Sequence, residues 1–279
     1  MDVWSIASGS SGNAYLIRVD DTTILVECGI SVRRITTFLA RVGVDPRDLD
    51  GILLTHDHSD HTRAARQLAE RYEVPLYATA GTLGCAALRE SPWARPVQPD
   101  RPFSVGALEV LAYPVPHDAY EPVGFRLTGS KATVGVTTDL GFVPADVQRH
   151  FARTDLLILE ANHDVQMLRS GPYPHFLKRR VLGNHGHLSN EATAEALVAC
   201  RDAVPADVWL AHLSPVNNRP EVAQAAVSAH LERFGLGHVA VHVAERHRPS
   251  LHWSAISRTT APRQAPARSA LQPGQLALF

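Results

Sequence analysis

The chain has 279 residues, of which 45% are hydrophobic and 20% charged, and its net charge is -1. These values suit one large α/β domain or two small ones, and they give no global signal for nucleic acid or membrane, although a local basic groove can coexist with a neutral total. Three widely separated cysteines exclude a disulfide framework. With no signal peptide and no apolar stretch of bilayer length, we predict a cytoplasmic protein without a membrane partner.

Strand-like and helical runs alternate through the first half of the chain. Two β-rich runs at 14–19 and 23–26 flank Asp20-Asp21, which predicts a hairpin. The elements predicted after it are an amphipathic helix at 31–42, a buried strand at 50–55, a helix at 63–72 and a strand at 74–78.

The second half is richer in strand signal and ends in a different composition. The elements predicted there are strands at 108–113, 123–127, 133–138, 156–160, 208–211 and 239–244, and helices at 190–202 and 220–234. Near Ser254 the chain becomes rich in Ala, Pro, Arg, Ser and Gln and loses apolar periodicity. We therefore predict one folded domain over 1–253 and a disordered tail over 254–279.

A histidine-rich run, 55–61, lies between the buried strand at 50–55 and the next helix. It packs three imidazoles and a carboxylate into six positions: His56, His58, Asp60 and His61. Such ligands suit zinc, and the carboxylate also suits manganese. A single ion rarely takes four ligands from one short loop, so the run favours two adjacent ions over a merely solvated polar loop.

The pattern HxHxDH after a strand resembles the signature of the metallo-β-lactamase superfamily. The rest of that family's pattern follows in order, each residue at a predicted strand end: His117, Asp139 and His212. The resemblance implies a four-layer αββα sandwich with two divalent metal ions bridged by Asp139. The ligands it implies are His56, His58 and His117 for one ion, and Asp60, His61 and His212 for the other.

The chain departs from the family at Glu27, since the family usually has Asp at the end of this early strand. That acid supports the ligands from behind. Because Glu is longer by one methylene, we expect the geometry of this support to differ and the ligand set to be unaffected.

Further segments resemble the YycJ/WalJ family of bacterial metallo-β-lactamase-fold proteins over about residues 3–250. They lie at 8–13, 115–118, 121–125, 160–164, 186–190 and 212–221. The resemblance implies a 5′–3′ exonuclease acting on double-stranded DNA, in which a hydroxide shared by two Zn²⁺ or Mn²⁺ ions attacks the scissile phosphate. Asp60 is expected to orient that hydroxide as well as to bind metal.

His187 lies between the bridging Asp and the last ligand, just before a predicted helix. In the related ribonuclease Z branch, a His in this interval contacts the scissile phosphate or protonates the leaving oxygen. We predict that His187 is catalytic without being a ligand; a helix-capping loop residue is the alternative. His163 and His185 are weaker candidates. The small residues at 8–12 either let backbone N–H groups approach a phosphate or form a simple β-turn.

The chain ends with a motif that resembles the peptide by which bacterial replication and repair enzymes bind the sliding clamp. Its residues are Gln275, Leu276, Leu278 and Phe279. Leu and Phe would anchor in an apolar pocket while Gln forms hydrogen bonds, and a tether of roughly twenty residues would leave the domain free to stay on DNA. A random apolar terminus is the alternative.

Two other functions stay open at this point. One is a hydrolase of RNA or of a small ester, thioester or lactone, because the fold alone does not settle the substrate. The other is a metal-binding scaffold without catalysis that works through its tail. The complete ligand set argues against the scaffold, since nothing obliges it to keep an open two-metal centre.

Overall fold

Fourteen strands build two sheets in the computed structural model, which describes residues 1–85 and 88–255. The strands are β1 (Asp2–Ala7), β2 (Ala14–Val19), β3 (Thr22–Val26), β4 (Gly51–Leu53), β5 (Leu76–Thr79), β6 (Ala94–Val97), β7 (Phe103–Val105), β8 (Leu108–Pro114), β9 (Val123–Thr128), β10 (Thr133–Thr137), β11 (Leu156–Glu160), β12 (Asp207–Ala211), β13 (Ala240–Val243) and β14 (Leu251–Ser254). The helices are α1 (Val32–Arg41), α2 (Ser59–Thr62), α3 (Ala65–Tyr72), α4 (Ala80–Leu83), α5 (Ala145–Phe151), α6 (Val165–Ser170), α7 (His175–Val181), α8 (Asn190–Ala199) and α9 (Pro220–Arg233), with 3-10 turns at Pro46–Asp48 and Arg201–Ala203.

The two sheets pack face to face and carry helices on their outer faces. The first sheet has the order β14-β1-β2-β3-β4-β5-β6 and the second β13-β12-β11-β10-β9-β8-β7. Because side chains alternate along a strand, Leu156 and Ile158 enter the core between the sheets, whereas Leu157 and Leu159 pack beneath helices. Residues of α1 and α3 cover the first sheet, and residues of α5, α8 and α9 cover the second. This arrangement confirms the predicted four-layer αββα sandwich.

Contacts between residues distant in the chain account for the elements whose presence or bounds the sequence patterns did not predict. The hairpin of β2 and β3 is confirmed, but β1 was not predicted, and its partner β14 lies about 250 residues away, with Val3 opposite Trp253. The helix predicted at 63–72 is confirmed as α3, which begins two residues later, at Ala65. The N–H of Ala64 donates to the carbonyl of Cys28 at 2.9 Å, which separates α3 from the short helix α2.

The described residues extend slightly past the predicted boundary of the domain at residue 253. Strand β14 ends at Ser254, and the N–H of Ala255 donates to the carbonyl of Met1 at 2.9 Å. The first two residues of the predicted tail therefore pair with the sandwich, and the remainder lies outside the described residues. Within the part of the chain that is described, no helix has the length and apolar character needed to cross a bilayer.

Candidate metal centre

The predicted ligands lie at one edge of the sandwich, where several strands end. Strands β8, β10, β11 and β12 point the same way, because β9 is antiparallel to both β8 and β10 while β11 and β12 continue in parallel. Their carboxyl ends therefore meet at one edge, followed by His117, Asp139 and His212. Strand β4 of the first sheet leads into the run 55–61 at the same edge.

Three histidines form what we call the imidazole group: His56, His58 and His117. Their ring nitrogens lie within 4.8 Å of one another. The Thr55 hydroxyl is 2.9 Å from Nδ1 of His56, and the buried Nε2 has no hydrogen-bond partner among the described residues. An orphaned buried nitrogen facing two other imidazoles is what a divalent metal ion would satisfy. Burial lowers the pKa of His56 well below its ordinary value and also lowers that of His117.

Two histidines and an aspartate form what we call the carboxylate group: Asp60, His61 and His212. Their ligand atoms also lie within 4.8 Å of one another, with Nε2 of His212 at 3.2 Å from Oδ2 of Asp60. Burial would lower the pKa of His212, but the carboxylates around it, Asp139 first, outweigh burial and raise that pKa to about 10. The same reversal raises the pKa of His61 well above its ordinary value, through Glu27 and Asp139.

The side chain of Asp139 lies between the two groups. Its Oδ2 is 3.1 Å from Nε2 of His61, and its Oδ1 is 3.3 Å from Nδ1 of His212 and 3.8 Å from Nε2 of His117. The carboxylate is buried, and the surrounding imidazoles, His212 first, overcome the effect of burial and hold its pKa well below the ordinary value. The seven predicted ligands are thus brought together in two adjoining groups, and five of them line one cavity. Their nitrogen and oxygen donors fit a pair of divalent ions.

Left-handed backbone places three of the acidic and imidazole side chains in the site. Glu27, Asp139 and His212 have φ values of 66°, 61° and 56°, each just after a strand. A non-glycine residue in this region costs about 1–3 kcal/mol and persists only where the surroundings impose it. Here the conformation turns the chain sharply at the strand end, where the metal-binding side chains gather.

Glu27 supports the carboxylate group despite its extra methylene. Its Oε1 lies 3.3 Å from Nδ1 of His61 and accepts the N–H of Thr55 at 3.3 Å, while its Oε2 has no hydrogen-bond partner among the described atoms. The longer side chain therefore reaches the ligand that the family's Asp is expected to support.

Glu160 was missed as a site residue by the sequence reasoning. Its Oε1 is 2.9 Å from Nδ1 of His212 and 2.8 Å from Nδ1 of His187, and its Oε2 accepts the N–H groups of Leu140 and Leu188. Although burial opposes ionisation, these imidazoles, His187 first, lower the pKa of Glu160 to about 2. The sequence did contain a signal for Glu160. It is the last residue of β11, whose other residues are all apolar and buried, so its carboxylate must find partners in the interior.

His187 lies beside the centre. Its Nδ1 is 3.5 Å from Oδ1 of Asp139, and its side chain is 23% exposed toward the cavity. Among the described residues its ring could also join Asp139, Glu160 and His212 in a ligand set, so the geometry admits both a ligand and a non-ligand role. Of the weaker candidates, His185 lines the same cavity, whereas His163 is buried with no hydrogen-bond partner for either ring nitrogen.

The small-residue loop at 8–12 forms a β-turn. The N–H of Gly12 donates to the carbonyl of Gly9, and the N–H of Gly9 donates to the side chain of Asn13. Ser10, at the centre of the turn, lines the cavity of the metal centre, so an approach of backbone N–H groups to a phosphate stays a prediction. Ser8 takes a different part, because its hydroxyl accepts the N–H of His212 at 2.9 Å.

A cavity of about 230 Å³ opens above the centre. Besides the ligands, Ser10 and residues of α7 line it, among them Leu177 and Arg180. Large apolar side chains are exposed on neighbouring segments: Tyr120, Phe142 and Phe176. The predicted clamp motif, Gln275, Leu276, Leu278 and Phe279, lies outside the described residues.

Comparisons with known proteins agree with this fold and identify the family. A family model for the beta-lactamase superfamily domain matches residues 22–213. The chain is 35% identical over 240 residues to exodeoxyribonuclease WalJ of Streptococcus pneumoniae, covering 83% of this chain and 88% of that protein. It is 34% identical over 238 residues to exodeoxyribonuclease YycJ of Bacillus anthracis, covering 83% and 89%. The metallo-beta-lactamase fold protein YhfI of Bacillus subtilis superposes with a TM-score of 0.69 at 18% identity, covering 91% of this chain and 100% of that one.

Proposed function

This chain belongs to the beta-lactamase superfamily and to its group of WalJ and YycJ exodeoxyribonucleases, and from this premise we propose that it is a two-metal 5′–3′ exonuclease of double-stranded DNA. The observation that carries the proposal is the position of Asp139, whose carboxylate lies within 3.8 Å of ligand atoms of both groups. A carboxylate shared between two ligand groups is what two neighbouring ions need in order to act on one phosphodiester.

The two groups would each hold one divalent ion. The imidazole group offers three ring nitrogens, and the carboxylate group offers two nitrogens and an oxygen, donors that suit Zn²⁺ or Mn²⁺. When bound, the ions would lower the pKa of water so that a nucleophile exists at neutral pH, and they would neutralise charge on the phosphate. Asp60, whose side chain is 19% exposed, is placed to orient that nucleophile as well as to bind metal.

His187 is proposed to protonate the leaving sugar oxygen. Glu160 engages its Nδ1 at 2.8 Å, which leaves Nε2 as the nitrogen available to a substrate. Burial would lower the pKa of His187, but Glu160 outweighs burial and raises it, so the ring keeps its proton to higher pH than an ordinary histidine. A positioned imidazolium can donate that proton as the phosphorus–oxygen bond breaks.

The mouth of the cavity suits a DNA strand end. Helix α7 carries three consecutive basic residues, Lys178, Arg179 and Arg180, and the last of these lines the cavity. Arginine binds phosphate through paired N–H groups. The exposed aromatic rings of Tyr120 and Phe176 offer surfaces on which unpaired bases can stack.

The test is digestion of end-labelled duplex DNA by metal-stripped protein resupplied with Mn²⁺ or Zn²⁺ separately. We expect a 5′ label to be released early as a mononucleotide and a 3′ label to remain on shortening strands. Release of the 3′ label first would reverse the proposed polarity. Preference for an RNA duplex or for a chromogenic ester would replace the proposed substrate.

We further propose that residues 275–279 bind the bacterial sliding clamp. A peptide of residues 268–279 should bind the purified clamp, and the variant Leu276→Ala/Leu278→Ala/Phe279→Ala should not. Equal binding of both peptides in a fluorescence anisotropy assay would contradict this part of the proposal and leave the nuclease assignment intact.

A further inference from the structure

We infer that a basic groove along α1, outside the metal cavity, binds the phosphate backbone of duplex DNA; the inference rests on the proposed function. This groove, called the α1 groove here, has a volume of about 500 Å³ and includes Ile6, Arg33, Arg34, Phe38, Arg41 and His247 in its lining. It is larger than the cavity above the metal centre, which measures about 230 Å³.

The positive charges of the arginines in the α1 groove are not neutralised by acidic side chains within the described part of the chain. Arg33, Arg34 and Arg41 form no ion pair within the described part of the chain, and no Asp or Glu lines the groove. Some exposed arginines elsewhere on the surface are compensated, as in the pair of Arg66 with Glu70 at 2.7 Å. Eight residues separate Arg33 from Arg41, so along the helix the positive charge extends over about 12 Å.

A second groove, called the connecting groove here, shares the lining residue His247 with the α1 groove. It has a volume of about 290 Å³ and is also lined by Ser8, Leu213 and Arg246. Ser8 binds the backbone of the ligand His212 at 2.9 Å, and Leu213 is the next residue along the chain. The one acid in the connecting groove, Glu245, is neutralised by Arg248 at 2.6 Å.

A polyanion with regularly spaced charges fits the α1 groove and the connecting groove better than a single small anion does. The chain as a whole has a net charge of only -1, so the uncompensated guanidinium groups are a local concentration rather than a general excess. Guanidinium groups bind phosphate oxygens in pairs. With a strand end in the metal cavity, the double-stranded remainder of the same DNA would follow the connecting groove to α1.

The test compares two variants that remove the same charge from opposite faces of the sandwich. Arg33→Gln/Arg34→Gln/Arg41→Gln changes the α1 groove. Arg149→Gln/Arg201→Gln/Arg233→Gln changes exposed arginines around α5, α8 and α9 and is the matched control. Binding of the metal-loaded protein to a fluorescent 30-base-pair duplex with nuclease-resistant ends is measured by anisotropy over a range of salt concentrations.

We expect the α1 variant to bind the duplex at least tenfold more weakly at about 0.15 M salt and the control to bind as the unchanged protein does. The slope of log K against log salt should fall by about 2–3 in magnitude, since each lost phosphate contact removes about 0.9. Turnover of bis(4-nitrophenyl) phosphate, which is too small to reach α1, should be unchanged and shows that the variant is folded.

Equal affinity and equal salt slope for the two variants would overturn the α1 groove as a DNA-binding surface. Arginine-dependent binding to phosphatidylglycerol vesicles without any loss of duplex binding would overturn it in favour of a membrane surface. If the unchanged protein fails to digest DNA but binds duplexes through these arginines, the proposed function falls and the groove stands. If the unchanged protein digests DNA and the α1 variant binds duplexes normally, the proposed function stands and the α1 groove is overturned as a DNA-binding surface.

Discussion

The two ligand groups of the metal centre differ in the charge that surrounds them. The imidazole group is surrounded mainly by other imidazoles, and burial keeps the pKa of His56 and His117 low. The carboxylate group is surrounded by acids, which raise the pKa of His61 and His212. His56 and His117 can therefore bind a metal ion as they stand, whereas His61 and His212 must first lose a proton. Sequence motifs alone treat the two groups as equivalent, and the tertiary environment makes them different.

Removal of the Asp139 carboxylate, which both groups share, should have the largest effect on activity. We expect Asp139→Ala to lower nuclease activity by about 10³-fold or more, because two ions could no longer be held together over one phosphodiester. Activity on labelled duplex DNA and metal content by elemental analysis are the measurements, with the exposed Asp146→Ala as the matched control. Full activity with two bound ions in Asp139→Ala would contradict the proposed centre. Retained clamp binding without activity in the unchanged protein would favour a scaffold.

Glu160→Gln should weaken the carboxylate group selectively. The substitution removes the negative charge 2.9 Å from His212 and 2.8 Å from His187. Loss of a carboxylate behind a ligand costs roughly 10–100-fold in metal affinity or activity. At saturating metal, the pH above which kcat falls should also move lower, since the pKa of His187 loses the partner that raises it.

Metal titrations of Glu160→Gln and of the exposed Glu109→Gln, used as a control, measure the first effect, and a pH profile of kcat measures the second. A merely structural role for Glu160 would reduce activity without moving the pH profile. An equal loss of affinity for both metal ions would show that the two groups do not differ as proposed.

Proton release should distinguish the two groups directly. In the metal-free protein the raised pKa of His212, about 10, keeps it protonated at neutral pH, so metal binding to the carboxylate group must displace that proton. Affinity there should rise by about tenfold per pH unit for each proton displaced, up to that pKa. In the imidazole group, burial lowers the pKa values of His56 and His117, so metal binding should displace few protons from these two rings at neutral pH.

Calorimetric metal titrations in two buffers of different ionisation enthalpy count the protons released at each step. We expect one binding step to release protons and the other to release close to none at pH 7. Identical proton release in both steps would remove the electrostatic distinction between the groups.

Glu27→Asp should have the smallest effect. The shorter side chain restores the residue that the family usually has but withdraws the carboxylate from Nδ1 of His61, now 3.3 Å away. We expect a loss of a few-fold in affinity at the carboxylate group, below the roughly tenfold lower limit for complete loss of such a partner. Glu27→Gln, which keeps the length and loses the charge, is the matched variant. A gain in affinity for Glu27→Asp would show that the longer side chain strains the site.

The sequence by itself determined the local features of this protein. Alternating apolar residues predicted most central strands, because period-two patterning follows directly from strand geometry. The predicted ligands could be assigned in order because each follows a strand that the sequence pattern predicts. They are the run from His56 to His61 and the later His117, Asp139 and His212. The four-layer fold followed from the resemblance that these residues carry.

Only the tertiary structure decided what depends on residues distant in the chain. The pairing of β1 with β14 spans about 250 residues. The break between α2 and α3 arises where the N–H of Ala64 donates to the carbonyl of Cys28, while the carbonyl of Asp60 accepts the N–H of Asn13. The role of Glu160 and the basic groove of α1 likewise come from segments that meet in space. Charge and hydrogen bonding act over a few ångströms whatever the separation along the chain, so they became visible only once the strands were packed.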